Sequence, residues 1–239
     1  MRSEPLPGPS AGTERGLVPA SPSTMTDSFA SAPGKLWLLY GEHSVFRLAH
    51  RIAGHILKTG APLALVDGAN RFDIQAVVRY AQEHRLDPDE VLQRLYISRG
   101  FTCYQIEAAV TERLPAFLRR TGARATLIFG LLDTLYDEQA PMRDVRTILG
   151  RTIDALRAME SEGISVLLTS TDWRVLPEER NRLLNDLKRQ MDRVYRLELT
   201  AEDAPTLFLE RSQRRGLAAP AQGGAHGKNR PDIYEHHRR

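Results

Sequence analysis

Short runs of consecutive apolar residues alternate along the chain with longer stretches whose apolar residues recur at helical spacing. A short run that is apolar at nearly every position predicts a strand buried on both faces, as in a parallel sheet covered by helices. The strands predicted in this way, together with a closing pair near the end, are 35–40, 62–66, 95–98, 125–132, 164–169, 193–199 and 206–210. The pattern therefore predicts an α/β fold, with a mostly parallel central sheet and helices on both faces.

Helical stretches separate these strands. The predicted helices are 46–58, 74–84, a short one after Asp87, 103–121, 142–162 and 177–191. Asp87 precedes Pro88, and this pair is typical of a helix start, because Asp caps free N–H groups and Pro is tolerated at the first position. Since ligands of such sheets bind at the carboxyl ends of the strands, we expect a site among the residues that follow them. Those residues are 41–48, 67–73, 99–103, 133–138 and 170–174.

The two ends of the chain differ from its middle in composition. Residues 1–33 are rich in Pro, Ser, Gly and Ala and have few large apolar side chains. They are predicted to be disordered, because they cannot bury enough apolar surface to offset the entropy of ordering. Residues 211–239 are rich in Gly, Arg and His and are predicted to form a loose basic tail. A single folded domain is expected over 34–210.

The positive charge is concentrated in that tail. The whole chain has a net charge of +3, but residues 211–239 hold seven Lys/Arg and two acidic residues, a net charge of +5. The rest of the chain therefore sums to −2, which does not favour a dedicated nucleic-acid surface on the folded domain. Any contact with DNA is expected through tail cations, and the alternative is that the tail only solubilises the chain. The candidate nucleic-acid contacts are Arg211, Arg214, Arg215, Lys228 and Arg230.

Several classes of protein are not expected from the sequence. The one cysteine, Cys103, cannot form an internal disulfide and is interpreted as a packed small residue, so a reducing cytoplasm is the expected location. No run of eighteen apolar residues and no secretory leader pattern occur, so no membrane partner is expected. His50 and His55 share a helix at a spacing of five, which does not favour a metal site.

Five segments, in this order, carry a family resemblance. They are LYGEHSVFRLAHRIA (39–53), LVDGANRFD (65–73), RLDPDEVLQRLYISRGF (85–101), ATLIFGLLDTL (125–135) and ISVLLTST (164–171). Together they resemble the RecA/RadA recombinase core of the P-loop ATPases, and the third segment is the most specific. The resemblance implies a three-layer RecA-like P-loop fold. It also implies a phosphate loop in the first segment, a water-positioning glutamate in the second and a Walker B carboxylate in the fourth.

The chemistry of the phosphate loop is missing from the first segment. A phosphate loop reads G-x-x-x-x-G-K-[ST], in which Lys meets the terminal phosphates and Ser/Thr binds magnesium. Laid from Gly41, this pattern places Phe46 at the second glycine, Arg47 at the lysine and Leu48 at the Ser/Thr. Phe46 prevents the close backbone approach that glycine allows, and Leu48 cannot bind a metal. We therefore expect Phe46 and Leu48 to be buried in the space that phosphates take in active relatives.

Two further positions decide the expected chemistry. The resemblance places Ala69 where the family has its glutamate, whereas Asp133 keeps the Walker B carboxylate. We therefore expect no catalytic residue, no metal ligand and no cofactor, with ATP as the one candidate if a nucleotide binds. The residues expected to form a vestigial nucleotide site are Gly41, Glu42, His43, Ser44, Arg47 and Asp133.

These expectations favour a non-hydrolysing RecA/RadA-like protein that binds or scaffolds a partner in DNA recombination or repair. Its partner would be another protein or a second copy of the chain. One alternative is an ATP-binding NTPase with a remodelled site, in which Arg47 and Asp133 hold the nucleotide and a partner chain donates the missing groups. Another is a nucleic-acid accessory protein that binds through the basic tail. The short acidic segment 136–142 does not resemble the DNA-binding loop of the family.

Overall fold

One eight-stranded sheet organises the chain. The computed structural model describes residues 17–31, 33–68, 70–199 and 205–212. For residues 211 and 212 it describes the backbone alone. The strands are β1 (Val18–Ala20), β2 (Leu36–Gly41), β3 (Leu63–Gly68), β4 (Leu95–Gly100), β5 (Ala125–Phe129), β6 (Ser165–Thr171), β7 (Arg193–Leu199) and β8 (Pro205–Ser212). Their order in the sheet is β1-β8-β7-β2-β6-β5-β3-β4. The six strands from β7 to β4 are parallel, and β8 and β1 extend the sheet as antiparallel strands.

Helices connect the parallel strands. They are α1 (Pro22–Ser31), α2 (Ser44–Lys58), α3 (Ile74–Glu83), α4 (Pro88–Leu92), α5 (Cys103–Ala108), α6 (Leu114–Thr121), α7 (Leu131–Leu135), α8 (Met142–Ser161) and α9 (Arg182–Lys188). The predicted α/β class with a mostly parallel sheet is therefore confirmed. In the part of the chain that the structure describes, no helix is both long enough and apolar enough to cross a membrane.

Successive residues of the central strands point to opposite faces of the sheet, and both faces are buried. Leu36 and Leu38 of β2 belong to a core that includes buried residues of α5, α6, α8 and α9. Trp37 and Leu39 belong to a second core, formed with α1, α2 and α3. The period of two along a strand explains why its sequence is apolar at every position, because each face needs its own apolar residues.

Local sequence signals explain where the helices begin and change. Asp87 accepts a hydrogen bond from the Asp89 N–H at 2.9 Å, with Pro88 at the first helical position, as predicted. The predicted helix 103–121 is continuous but contains a π-helical turn, Ala109–Arg113, between α5 and α6. Pro115 is the second residue after this turn. Since proline has no N–H to complete the α-helical ladder, the wider turn is accommodated beside it.

The prediction that residues 1–33 are disordered is wrong for residues 17–31. These residues form β1, which pairs with β8, and the ten-residue helix α1. Met25 and Phe29 lie four residues apart on α1 and are both 1% exposed, and the Phe29 ring centroid lies 5.4 Å from that of Trp37. Composition alone does not reveal α1, because only two of its side chains, Met25 and Phe29, are buried. Their spacing, rather than their number, lets both pack in one core with Trp37 and Leu39 of β2. Residues 1–16 and 32 of the segment lie outside the described part of the chain.

The strand predicted at 125–132 ends earlier, at Phe129. Gly130 follows with a φ of 59°, and a Cβ there would lie 2.6 Å from the Gly68 carbonyl oxygen. Only glycine fits such a left-handed position in close contact with backbone. The chain then turns into α7, so that Asp133 lies in the first turn of a short helix rather than just after a strand.

Candidate functional site

The connection between β2 and α2 is the expected position of the phosphate loop, and it contains only two residues. β2 ends at Gly41 and α2 begins at Ser44, which leaves Glu42 and His43 between them. The N–H of Val45 donates to the Glu42 carbonyl at 2.9 Å, and the N–H of the next residue donates to the His43 carbonyl at 3.2 Å. A phosphate-binding loop instead turns successive N–H groups toward the ligand. The connection therefore provides no cradle of the kind that binds a nucleotide phosphate chain.

Packing of the sheet accounts for Gly41 without a phosphate. Its φ is 136°, and a Cβ at this position would lie 2.1 Å from the Leu197 carbonyl oxygen of β7. The N–H of Glu42 donates to the same carbonyl at 3.4 Å. Gly41 thus allows β2 to approach its neighbour closely at the point where the chain leaves the sheet.

The side chains of Phe46 and Leu48 are buried as expected, with exposed fractions of 7% and 8%. The Phe46 ring stacks on that of Phe129, with 6.2 Å between centroids and 20° between planes. Phe72 and His50 lie against the other sides of Phe129, at 5.3 and 5.1 Å. The interior beneath the β2–α2 connection is therefore filled by a cluster of rings.

His50 joins two helices within this cluster. The Asp73 N–H, at the start of α3, donates to Nε2 of His50 at 2.8 Å. Nε2 is therefore the unprotonated nitrogen of the ring. Burial lowers the pKa of His50, because the apolar surroundings disfavour its charged form. His55 instead contacts Asp27 of α1 at 3.6 Å, so the two histidines do not share a site.

Arg71 holds the carboxylate of Asp133. Its Nε donates to Oδ2 of Asp133 at 2.7 Å, and Asp133 is nearly buried, with 8% of its side chain exposed. Burial raises the pKa of Asp133 above its usual value, although the Arg71 guanidinium acts in the opposite direction. The carboxylate that resembles the Walker B residue is thus paired with a cation of the chain itself.

A second carboxylate, Asp67, positions Arg71. Asp67 is fully buried at the end of β3, and its Oδ1 accepts the N–H groups of Arg71 at 2.7 Å and Phe72 at 3.1 Å. Its Oδ2 accepts Nε of Arg99, the neighbouring residue in β4, at 3.1 Å. Sequence reasoning missed both arginines and Asp67. The strand register, which places Asp67 beside Arg99, is the information that the sequence lacks.

Two exposed rings lie beside Arg71 at the carboxyl ends of the strands. Trp173, in the segment after β6, is 48% exposed, and His43 meets it edge to face at 4.7 Å between centroids. The Arg71 guanidinium carbon lies 5.6 Å from the Trp173 ring centroid and 5.4 Å from that of Phe46. The Arg71–Trp173 cluster is the name used below for His43, Phe46, Arg71, Asp133 and Trp173.

The structure brings only part of the expected site together. His43 and Asp133 join the Arg71–Trp173 cluster, and Glu42 is exposed in the connection. Arg47 lies instead on the exposed side of α2 and lines a cleft of about 830 Å³ between α1, α2 and α3. The Ser44 hydroxyl, at the edge of that cleft, is buried and has no hydrogen-bond partner among the described residues. Arg47 and Asp133 therefore face different surroundings.

The remaining expected residues lie outside the described part of the chain. They are Ala69, Arg214, Arg215, Lys228 and Arg230, together with the side chain of Arg211. Within the described ranges, no three His, Cys, Asp or Glu side chains are grouped so that they could hold a metal ion. Comparison with known proteins adds no identity: no family model matches the chain, and no curated protein matches its sequence.

Proposed function

We propose that the chain is a non-hydrolysing relative of the RecA/RadA ATPases that acts as a binding or scaffolding partner of another protein. The family and the process, DNA recombination or repair, come from the sequence resemblance. The fold supports the proposal at a coarser level, because the segments that resemble the ATPase motifs lie at the carboxyl ends of β2, β3, β5 and β6 in a mostly parallel sheet.

The observation that carries the proposal is the two-residue connection between β2 and α2. Phosphoryl transfer requires a phosphate cradle and a bound metal to position the terminal phosphate. Glu42 and His43 are too short a segment to wrap around a phosphate chain, and the Phe46 side chain fills the interior below them. Asp133, the remaining carboxylate of the motif, is held by Arg71.

The same geometry argues against the remodelled NTPase. That alternative requires Arg47 and Asp133 to contact the same nucleotide. Arg47 instead lines the cleft beside α1, whereas Asp133 pairs with Arg71 near the carboxyl ends of the strands. A partner chain would have to displace Arg71 from Asp133 as well as donate the missing groups. The nucleic-acid alternative depends on tail residues outside the described part, and it is tested separately below.

Nucleotide binding to the full chain tests the proposal. We expect isothermal titration with ATP or ADP, with and without Mg²⁺, to show no saturable binding below about 1 mM. We also expect no Mg²⁺-dependent ATP hydrolysis above background. Hydrolysis near 1 s⁻¹, an ordinary enzymatic rate, would contradict the proposal if an Asp133→Ala variant abolished it. The variant is the control that separates the chain's own activity from a contaminating ATPase.

A further inference from the structure

The outward side of the Arg71–Trp173 cluster combines an exposed ring with unused hydrogen-bond donors. Nε of Arg71 donates to Asp133, and no described residue accepts a hydrogen bond from its Nη1 or Nη2. The Arg71 side chain is 27% exposed. Beside it, Trp173 is 48% exposed, and Leu176 in the same segment is 71% exposed.

The position of Arg71 is fixed before any ligand arrives. Its backbone N–H is held by Asp67, its Nε by Asp133, and its guanidinium lies against the rings of Phe46 and Trp173. An arginine side chain normally loses considerable rotamer entropy when it is immobilised on binding. Because Arg71 is already ordered, most of that cost is absent here.

Any partner that covers Trp173 must also satisfy the Nη groups of Arg71. Burying unpaired N–H donors costs free energy, and a carboxylate accepts two parallel N–H groups of a guanidinium in one planar arrangement. The partner must also supply apolar surface for Trp173. Pre-ordered Trp and Arg side chains are the types that contribute most to the affinity of protein interfaces.

We propose that the Arg71–Trp173 cluster is the docking point for a protein partner that presents a carboxylate beside an apolar side chain. The carboxylate binds the two Nη groups of Arg71, and the apolar side chain packs on Trp173. Asp133 has no direct contact with the partner and is a positioning residue for Arg71. The inference rests on the proposed function, since it names the chemistry of the partner that a non-hydrolysing scaffold would bind.

Selection of a random twelve-residue peptide library against the immobilised full chain tests the docking point. We expect the enriched peptides to share an Asp or Glu within two residues of an aromatic or large aliphatic residue. Affinities of synthetic peptides are then measured by fluorescence anisotropy. Replacing the shared acidic residue by its amide, Asp to Asn or Glu to Gln, should weaken binding to the wild-type chain about tenfold or more.

Variants of the chain locate the binding surface. Trp173→Ala removes an exposed side chain and should fold normally, and we expect it to weaken peptide binding about tenfold or more. Arg71→Lys keeps the charge but not the planar pair of donors, and we expect a similar loss. Tyr96→Ala, which removes a 43% exposed ring from β4 at the edge of the sheet, is the matched control and should bind like the wild type.

Three results would overturn the docking proposal. The first is a library that yields no enriched peptide, or peptides without an acidic residue. The second is binding that survives Trp173→Ala but is lost in Tyr96→Ala, which would place the docking surface on β4. The third is binding of a single-stranded oligonucleotide, but not of peptides, that depends on Trp173. The ATP titration described above does not depend on any of these three results. Failure of the proposed function can therefore be distinguished from failure of the docking proposal.

Discussion

Phe46 is the residue at which the difference from a phosphate-binding site can be measured most directly. Its ring is buried against Phe129 and the Arg71 guanidinium. Replacing Phe46 by Ala leaves a cavity at the start of α2, and we expect the free energy of unfolding to fall by about 3–4 kcal/mol. Urea unfolding followed by circular dichroism measures the change.

Phe101 provides the matched control for this measurement. It is 66% exposed, so Phe101→Ala should change the free energy of unfolding by less than about 0.5 kcal/mol. Similar small effects in both variants would contradict the burial of Phe46. Such a result would also remove one of the structural arguments against a nucleotide site.

His50 predicts a pH dependence of stability. Because burial lowers its pKa from 6.5, the unfolded chain takes up a proton at a higher pH than the folded chain does. The stabilisation is complete above pH about 6.5 and is lost as the pH falls below that value, at up to about 1.4 kcal/mol per pH unit. His50→Gln keeps an acceptor for the Asp73 N–H but cannot titrate, and its stability should depend less steeply on pH.

Urea unfolding between pH 5 and pH 8 is the measurement for this prediction. The difference in unfolding free energy between the wild type and His50→Gln should change with pH only below about 6.5. Phe101→Ala, which replaces an exposed side chain that does not titrate, is the control and should retain the wild-type pH dependence. Parallel pH profiles for the wild type and His50→Gln would refute the role given to His50.

The sequence predicts the burial of some residues of the site but misses the pairing of others. Burial of Phe46 and Leu48 follows from their apolar character on the first turns of an amphipathic helix. The pairing of Arg71 with Asp133 joins residues 62 positions apart, and no local pattern specifies such a pair. Asp67 and Arg99 meet for the same kind of reason, because they are neighbours only once β3 and β4 are in register.

Among the elements, the β2–α2 connection makes a sharp prediction about Gly41. Ala at this position would place Cβ 2.1 Å from a backbone oxygen of β7, at a φ of 136°. Neither the strand nor its neighbour can move without disrupting the centre of the sheet. We therefore expect Gly41→Ala to lower the free energy of unfolding by more than about 3 kcal/mol.

Gly60, after α2, is the control glycine. It also has a positive φ, 84°, but a Cβ there would meet no atom within 4 Å. Gly60→Ala therefore reports conformational strain alone, which we expect to cost about 1 kcal/mol. If chemical denaturation showed that both variants lose the same free energy of unfolding, β2 and β7 would not be in close contact at Gly41.

Strong patterns predict most elements, and the errors have identifiable causes. Runs such as 35–40 and 164–169 predict strands well, since burial on both faces of the sheet makes most of their positions apolar. The end of β5 is missed because an apolar sequence continues past Gly130 into α7. α1 is missed because tertiary contacts of Met25 and Phe29, rather than composition, stabilise it.

The whole molecule combines a sheet with two cores and a site in which two buried carboxylates are paired with arginines of the same chain. Asp67 and Asp133, two of the carboxylates near the carboxyl ends of β3 and β5, form these ion pairs with Arg99 and Arg71. The charge of each of these two carboxylates is therefore compensated by a cation within the fold. The charge that remains uncompensated in the sequence lies beyond β8.

That uncompensated charge leads to a prediction about DNA. Residues 213–239 contain six Lys/Arg and two acidic residues, a net charge of +4. If the chain binds DNA, we expect the contact to be electrostatic and mainly through these residues. Neutralising about four phosphates gives a slope near −4 for log affinity against log salt on duplex DNA. Affinity should be almost independent of sequence, because no base-reading pattern occurs among them.

A salt series on the full chain and on a 1–212 truncation distinguishes the possibilities, and the truncation keeps all of β8. Tail-driven binding requires the truncation to lose most of its affinity and most of its salt dependence. Equal affinity and slope in both forms would refute it and direct attention to the exposed Trp173 and the strand ends instead. A variant with Arg214 and Arg215 changed to Gln should reduce the slope by about 2, since each arginine that contacts a phosphate releases about one counterion.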